Sequence, residues 1–86
     1  MASYSIEWKH SALRELKRLD RSVVSRIVER VEELAENPFP AGVCKLRGAE
    51  RTYRIRQGDY RIIYDVLAAT LLVVIIRVRH RREAYR

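Results

Sequence analysis

The chain carries one cysteine, two prolines, three glycines, one tryptophan and one phenylalanine in 86 residues. A single cysteine, Cys44, excludes an internal disulfide framework and fits a reducing cytosol. With no His or Asp close in sequence to activate it, Cys44 is expected to act as a small buried apolar residue. No apolar run has the length of a membrane span, and the longest, "VLAATLLVVII", is of strand length on each side of a short break. No charged segment with a cleavage site opens the chain, so a cytoplasmic location without a membrane partner is expected. Linkers, repeats and low-complexity stretches are absent, and residues 1–86 read as a single domain with one modest core. Cys/His metal spacings, phosphate-binding glycine loops and Ser/His/Asp arrangements are also missing, which predicts no metal and no cofactor. His10 reads as a surface residue.

Lysine is scarce as well: 15 of the 18 basic residues are arginine. Residues 1–43 hold seven basic and seven acidic side chains, whereas residues 44–86 hold eleven against four. The whole net charge of +7 therefore sits in the second half. Arginine suits bidentate phosphate recognition and stacking on bases, so a polyanionic partner is one reading and a solvated basic face the other.

The pattern along the chain divides in two. "ASYSIE" alternates weakly and predicts a short first strand with Tyr4 and Ile6 inward. From about Ser11, Leu13, Leu16 and Leu19 recur on one helical face. Asp20 is positioned to cap a second helix over Arg21 to Glu36, where Val24, Ile27, Val28, Val31 and Leu34 form the apolar stripe. "NPFP" ends that helix. Beyond it the period becomes two, and "KLRGAERTYRIRQGDYRIIYDV" and "LLVVIIRVR" predict three strands. The expected class is α+β, an antiparallel sheet of about four strands with the helical hairpin on one face, in the order βααβββ.

"QGDY" places glycine first in a two-residue turn. With Gly58 and Asp59 as the loop, Gln57 faces Tyr60, Arg56 faces Arg61, Ile55 faces Ile62, and Tyr53 faces Tyr64. Alternation then puts Tyr53, Ile55, Ile62 and Tyr64 on the helix side and Arg54, Arg56 and Arg61 on the other. Arg56 and Arg61 form a close pair, with Cα atoms about 4.5 Å apart. Opposed like charges there cost some tenths of a kcal/mol, roughly the size of one cross-strand pair. The cluster makes sense if a phosphate sits between the guanidinium groups. The bland alternative is neutralisation by Asp59, Asp65 or Glu50. The tail "RVRHRREAYR" adds Arg77, Arg79, His80, Arg81, Arg82, Tyr85 and Arg86, an aromatic among arginines, as base stacking with phosphate clamping requires. It reads equally as a frayed basic terminus.

"KLRG", "YRIRQGDYRIIYDV" and "HRREAYR", in an order strand, two helices, three strands, resemble the RelE/ParE superfamily of toxins from toxin–antitoxin modules, most closely its RelE branch. The resemblance covers nearly the whole chain. It implies a ribosome-dependent endoribonuclease that cuts mRNA in the A site, by metal-free attack of a ribose 2′-OH on the neighbouring phosphorus. By that matching, Arg61 and Arg81 stabilise the phosphoryl charge, Tyr85 stacks on or orients the nucleotide, and Arg54 and Arg56 occupy positions that are basic and often lysine. Lys45 and Arg47, with Arg51, Arg77, Arg79 and Arg82, would hold the RNA backbone. Arginine at positions 54 and 56 cannot serve as a base. That leaves His80, a deprotonated Tyr85, or no protein base at all. The expected partners are a cognate antitoxin with an acidic wrapping segment, the ribosome and mRNA. Two other functions compete: a ParE-like poison of DNA gyrase, and a non-catalytic RNA- or antitoxin-binding relative.

Overall fold

A computed structural model of the protein describes residues 3–82. β1 (Ser5–Trp8) leads into α1 (His10–Leu16) and α2 (Arg21–Glu36). β2 (Cys44–Lys45), β3 (Thr52–Gln57), β4 (Tyr60–Leu67), a 3-10 turn (Ala68–Thr70) and β5 (Leu72–His80) follow. The sheet is ordered β1-β5-β4-β3-β2. The class is α+β, as the sequence predicts, with two differences inside the sheet. β1 pairs parallel with β5, which makes the sheet mixed, and two-residue β2 adds a fifth strand at the far edge. A parallel neighbour needs a long crossover rather than a tight turn, and the helical hairpin supplies one between β1 and the rest of the sheet.

The core forms where the α2 stripe meets one sheet face. Ile27, Val31 and Leu34 of α2 are buried against Ile55, Ile62, Tyr64, Val66, Val73, Ile75 and Val78. Tyr4 and Ile6 pack against this cluster from β1, as their alternation predicts. The first helix departs from expectation. Ala12 and Leu16 are its buried residues, while Leu13 remains 39% exposed. Asp20 does occupy the position before α2, but its carboxylate makes no cap hydrogen bond. Cys44 is exposed rather than buried, because β2 lies at the outer edge of the sheet.

α1 is turned so that its polar side chains complete the sheet. β1 ends at Trp8, opposite Ile75, and β5 continues to His80 with no strand on that side. There Ser11 Oγ donates to the Ile76 carbonyl at 2.7 Å, and Glu15 Oε1 accepts from the Val78 N–H at 2.9 Å. The helix thus satisfies backbone groups that a ladder would otherwise pair.

β5 also contains a bulge. Ile63 pairs with Arg77 and Tyr64 with Ile75, leaving Ile76 as the extra residue. Val73 and Ile75 point inward, so strict alternation would send Arg77 and Arg79 into the core as well. The extra residue reverses the parity. Val78 is buried instead, and both arginines turn outward.

Tyr64 is the largest fully buried side chain, and its hydroxyl donates to the Pro38 carbonyl at 2.7 Å. This bond ties the sheet to the "NPFP" segment after α2. Burial pushes the phenol far above its usual range, so it stays a protonated donor. Tyr64→Phe strands a buried carbonyl and should lower stability by about 1–2 kcal/mol. In urea unfolding the midpoint should fall with an unchanged slope. A wild-type midpoint would show that the bond contributes nothing.

Candidate nucleic-acid interface

The β3–β4 turn sets the geometry. Gly58 adopts φ +60°, and no positive φ occurs at Asp59, which is the type II′ pattern. The register is the one read from the sequence: Gln57 opposite Tyr60, Arg56 opposite Arg61, Ile55 opposite Ile62, Arg54 opposite Ile63, and Tyr53 opposite Tyr64. The outward-turned end of β5 then adds Arg79 directly opposite Arg61. Arg56, Arg61 and Arg79 therefore form one row across three adjacent strands.

Past β5 the chain runs on beside the hairpin tip. The Arg81 N–H donates to the Asp59 carbonyl at 2.7 Å, and the Arg82 N–H donates to His80 Nδ1 at 3.2 Å. Arg81 and Arg82 thereby join Arg56 and Arg61 around an open depression of about 490 Å³. Gly58, Asp59 and Tyr60 complete its wall. Arg61 is only 7% exposed, an unusual environment for a cation. The carboxylate of Asp59 lies 3.9 Å from Arg81 Nε, with both side chains more than 60% exposed. Such a contact is weak and readily exchanged for another anion. Asp65 does not neutralise the cluster. It accepts from Thr52 Oγ1 at 2.6 Å and pairs with Arg51 at 3.7 Å, at the end of the hairpin remote from the tip.

The predicted site residues are thus sorted. Arg56, Arg61, Arg81 and Arg82 come together. Arg54 shares their sheet face but lines a second depression beside Arg56. Arg77 and Arg79 are drawn toward α1, where Glu15 Oε2 lies 3.5 Å from a nitrogen of each. Lys45, Arg47 and Arg51 are exposed near the edge formed by β2 and the start of β3. His80 is half-buried against Tyr60, with ring centroids 5.3 Å apart and planes at 88°. Its Nδ1 accepts the Arg82 N–H, so in the neutral ring the other nitrogen holds the proton. Tyr85 and Arg86 lie outside the described residues.

Two contributors escaped the sequence reading. Tyr60 flanks the turn and reaches the wall of the depression, a position that its place beside "GD" signals. Glu15 holds β5 and its two arginines from a different element, and nothing in the helical pattern of α1 marks it.

Permanently charged guanidinium groups converging on one spot can bind a phosphate bidentately and stabilise charge that develops on its oxygens. They cannot act as bases. Fold and site together define a small basic α+β domain whose arginines gather at the tip of one hairpin.

Comparison with known proteins narrows this class to a family. A profile of the family described as ParE toxin of type II toxin–antitoxin system, parDE, matches residues 6–85. The chain is 31% identical over 87 residues to the mRNA interferase toxin RelE of Escherichia coli K12, covering 96% of this chain and 90% of that protein. It is likewise 31% identical over 84 residues to toxin RelG of Mycobacterium tuberculosis, covering 96% and 97%. The toxin–antitoxin complex RelBE2 of M. tuberculosis contains a chain with the same fold, at a TM-score of 0.82 and 30% identity, covering 92% of this chain and 99% of that one. The protein belongs to the RelE/ParE toxin superfamily of type II toxin–antitoxin systems.

The arrangement around Glu15 separates two contributions to stability. Glu15→Gln keeps an acceptor for Val78 N–H and loses only partly exposed ion pairs, so it should cost less than about 1 kcal/mol. Glu15→Ala leaves a buried N–H unpaired and should cost about 1–3 kcal/mol. Equal losses in denaturant unfolding would show that the ion pairs, and not the edge hydrogen bond, hold α1 to β5.

Proposed function

We propose that this toxin is an endoribonuclease that cuts mRNA in the ribosomal A site. The observation that carries the proposal is the convergence of Arg56, Arg61, Arg81 and Arg82 on one open depression at the hairpin tip. The naming of the E. coli relative as an mRNA interferase supports the same reading.

In the reaction the 2′-oxygen of one ribose forms a bond to the adjacent phosphorus while the bond to the 5′-oxygen of the next nucleotide breaks. The 2′-hydroxyl loses its proton, the departing 5′-oxygen gains one, and the products carry a 2′,3′-cyclic phosphate and a 5′-hydroxyl. Negative charge builds on the phosphoryl oxygens. Arg61, buried beside the depression, and Arg81, whose backbone is held by the Asp59 carbonyl, supply the opposing charge. Arg56 and Arg82 hold the backbone at its entrance. His80 steadies the turn that carries Arg82 through Nδ1, and the clamped phosphate itself makes the 2′-hydroxyl more acidic. Tyr85 orients the nucleotide. No metal ion takes part. The protein acts as a single domain in the cytoplasm, where a cognate antitoxin covers the arginine face until the toxin is released. The fold shared with a chain of the RelBE2 toxin–antitoxin complex supports such a partner.

Expression should arrest growth, and primer extension on ribosome-bound mRNA should show A-site cuts. Arg61→Ala and Arg81→Ala should each reduce the cleavage rate by about 100-fold or more, the scale of losing one preorganised charge donor. Variants that remain as toxic and as active as the parent would overturn the site. Growth arrest with a DNA-damage response and uncut mRNA would favour gyrase poisoning instead. Ribosome binding with intact mRNA would favour a non-catalytic relative.

A further inference from the structure

The reading above places one phosphate in the depression at the hairpin tip. A second depression, of about 400 Å³, adjoins it along β3 and is lined by Arg30, Ala41, Gly42, Cys44, Arg54 and Arg56. Arg56 belongs to both. The two spaces therefore meet at Arg56, with α2 contributing Arg30, β3 Arg54 and Arg56, β4 Arg61, and the residues after β5 Arg81 and Arg82.

We infer that the second depression binds the backbone phosphate next to the scissile one, and that Arg30 and Arg54 are its ligands. The inference rests on the ribonuclease reading and extends it to substrate length. Arg54 and Arg56 are two residues apart on an extended strand, about 7 Å along its axis. That step is of the order separating neighbouring phosphates in a stretched single strand. Arg30 is held in place by Glu33, at 3.2 Å across one helical turn. Glu33 is largely exposed, so a phosphate can replace it at little cost. Ala41 and Gly42 carry almost no side chain, and a Cβ built on Gly42 meets nothing within 4 Å, so the loop leaves room for a backbone to pass. An acidic peptide also offers anions to arginine. Tyr60 in the wall of the first depression favours nucleic acid, because an aromatic face stacks on a base and gains nothing from a carboxylate.

The chain contains its own reporter. Cys44 is the single cysteine, it is exposed, and it lines only the second depression of the two. Fluorescent 2′-O-methyl oligoribonucleotides lack the attacking hydroxyl and stay intact, so binding is read separately from cleavage. A tetranucleotide should slow alkylation of Cys44 by iodoacetamide, and a dinucleotide with its single phosphate should not. Arg30→Gln should weaken tetranucleotide binding about tenfold, the scale of one hydrogen bond to a charged group, and leave dinucleotide binding unchanged. Its log–log salt slope should be shallower by about 0.7, one phosphate contact on a single strand. Arg30→Lys should restore most of the affinity. Arg61→Ala should weaken both lengths.

The subsite is overturned if the tetranucleotide binds through Arg61 yet leaves Cys44 equally reactive and indifferent to Arg30→Gln. Protection of Cys44 by a Glu-rich peptide but by no oligonucleotide also overturns it, and assigns the depression to a protein partner. Binding of neither length by the wild-type chain overturns the subsite alone, because the ribonuclease reading stands or falls on A-site cuts in ribosome-bound mRNA.

Discussion

The arrangement of this molecule depends on one turn. With glycine in the left-handed first position and Asp59 second, the β3–β4 hairpin closes in a single register, and that register sets Arg56 opposite Arg61. A shift by one residue would send the arginines into the core and Ile55, Ile62 and Tyr64 to solvent, so apolar burial on the opposite face locks the charged face in place. The core does not merely support the site. It forces cations together that would separate if left to themselves.

That enforced crowding has a modest cost and a large potential return. Two directly opposed like-charged pairs, Arg56 with Arg61 and Arg61 with Arg79, each disfavour the fold by some fraction of about 1 kcal/mol. A charge-assisted hydrogen bond to a phosphate is worth about 1.5–3 kcal/mol. A bound phosphate touching two or three guanidinium groups therefore outweighs the repulsion. The fold also limits the repulsion internally, since Glu15 draws Arg77 and Arg79 toward α1 and leaves Arg56, Arg61, Arg81 and Arg82 around the depression. Arginines of similar appearance in the sequence thus have different surroundings, some paired to α1 and some lining the depression.

The bend after β5 links fold to chemistry. A backbone bond from Arg81 to the Asp59 carbonyl sets a distant part of the chain beside the hairpin tip. His80 steadies the same bend through Nδ1 and its edge-to-face contact with Tyr60. Here one short segment both extends the sheet's hydrogen bonding and brings two further arginines to the depression.

Local chemistry was enough to determine the helical hairpin, the break at "NPFP", the turn type and the pairing of β3 with β4. Each of these rests on interactions between residues close in sequence, where period and turn residues act directly. Tertiary structure decided the rest. The parallel pairing of β1 with β5 joins segments more than sixty residues apart, and no local signal specifies it. The bulge at Ile76 reverses the facing of Arg77 and Arg79 because Val78 is the better side chain to bury, a comparison made only once the core exists. Cys44, apolar enough for an interior, is exposed because its strand is the last in the sheet. Glu15, an ordinary polar residue on a helix, gains its role only when α1 lies along an edge that β1 is too short to cover. Periodicity fixes which way a side chain points from its own element, and packing fixes what it meets there.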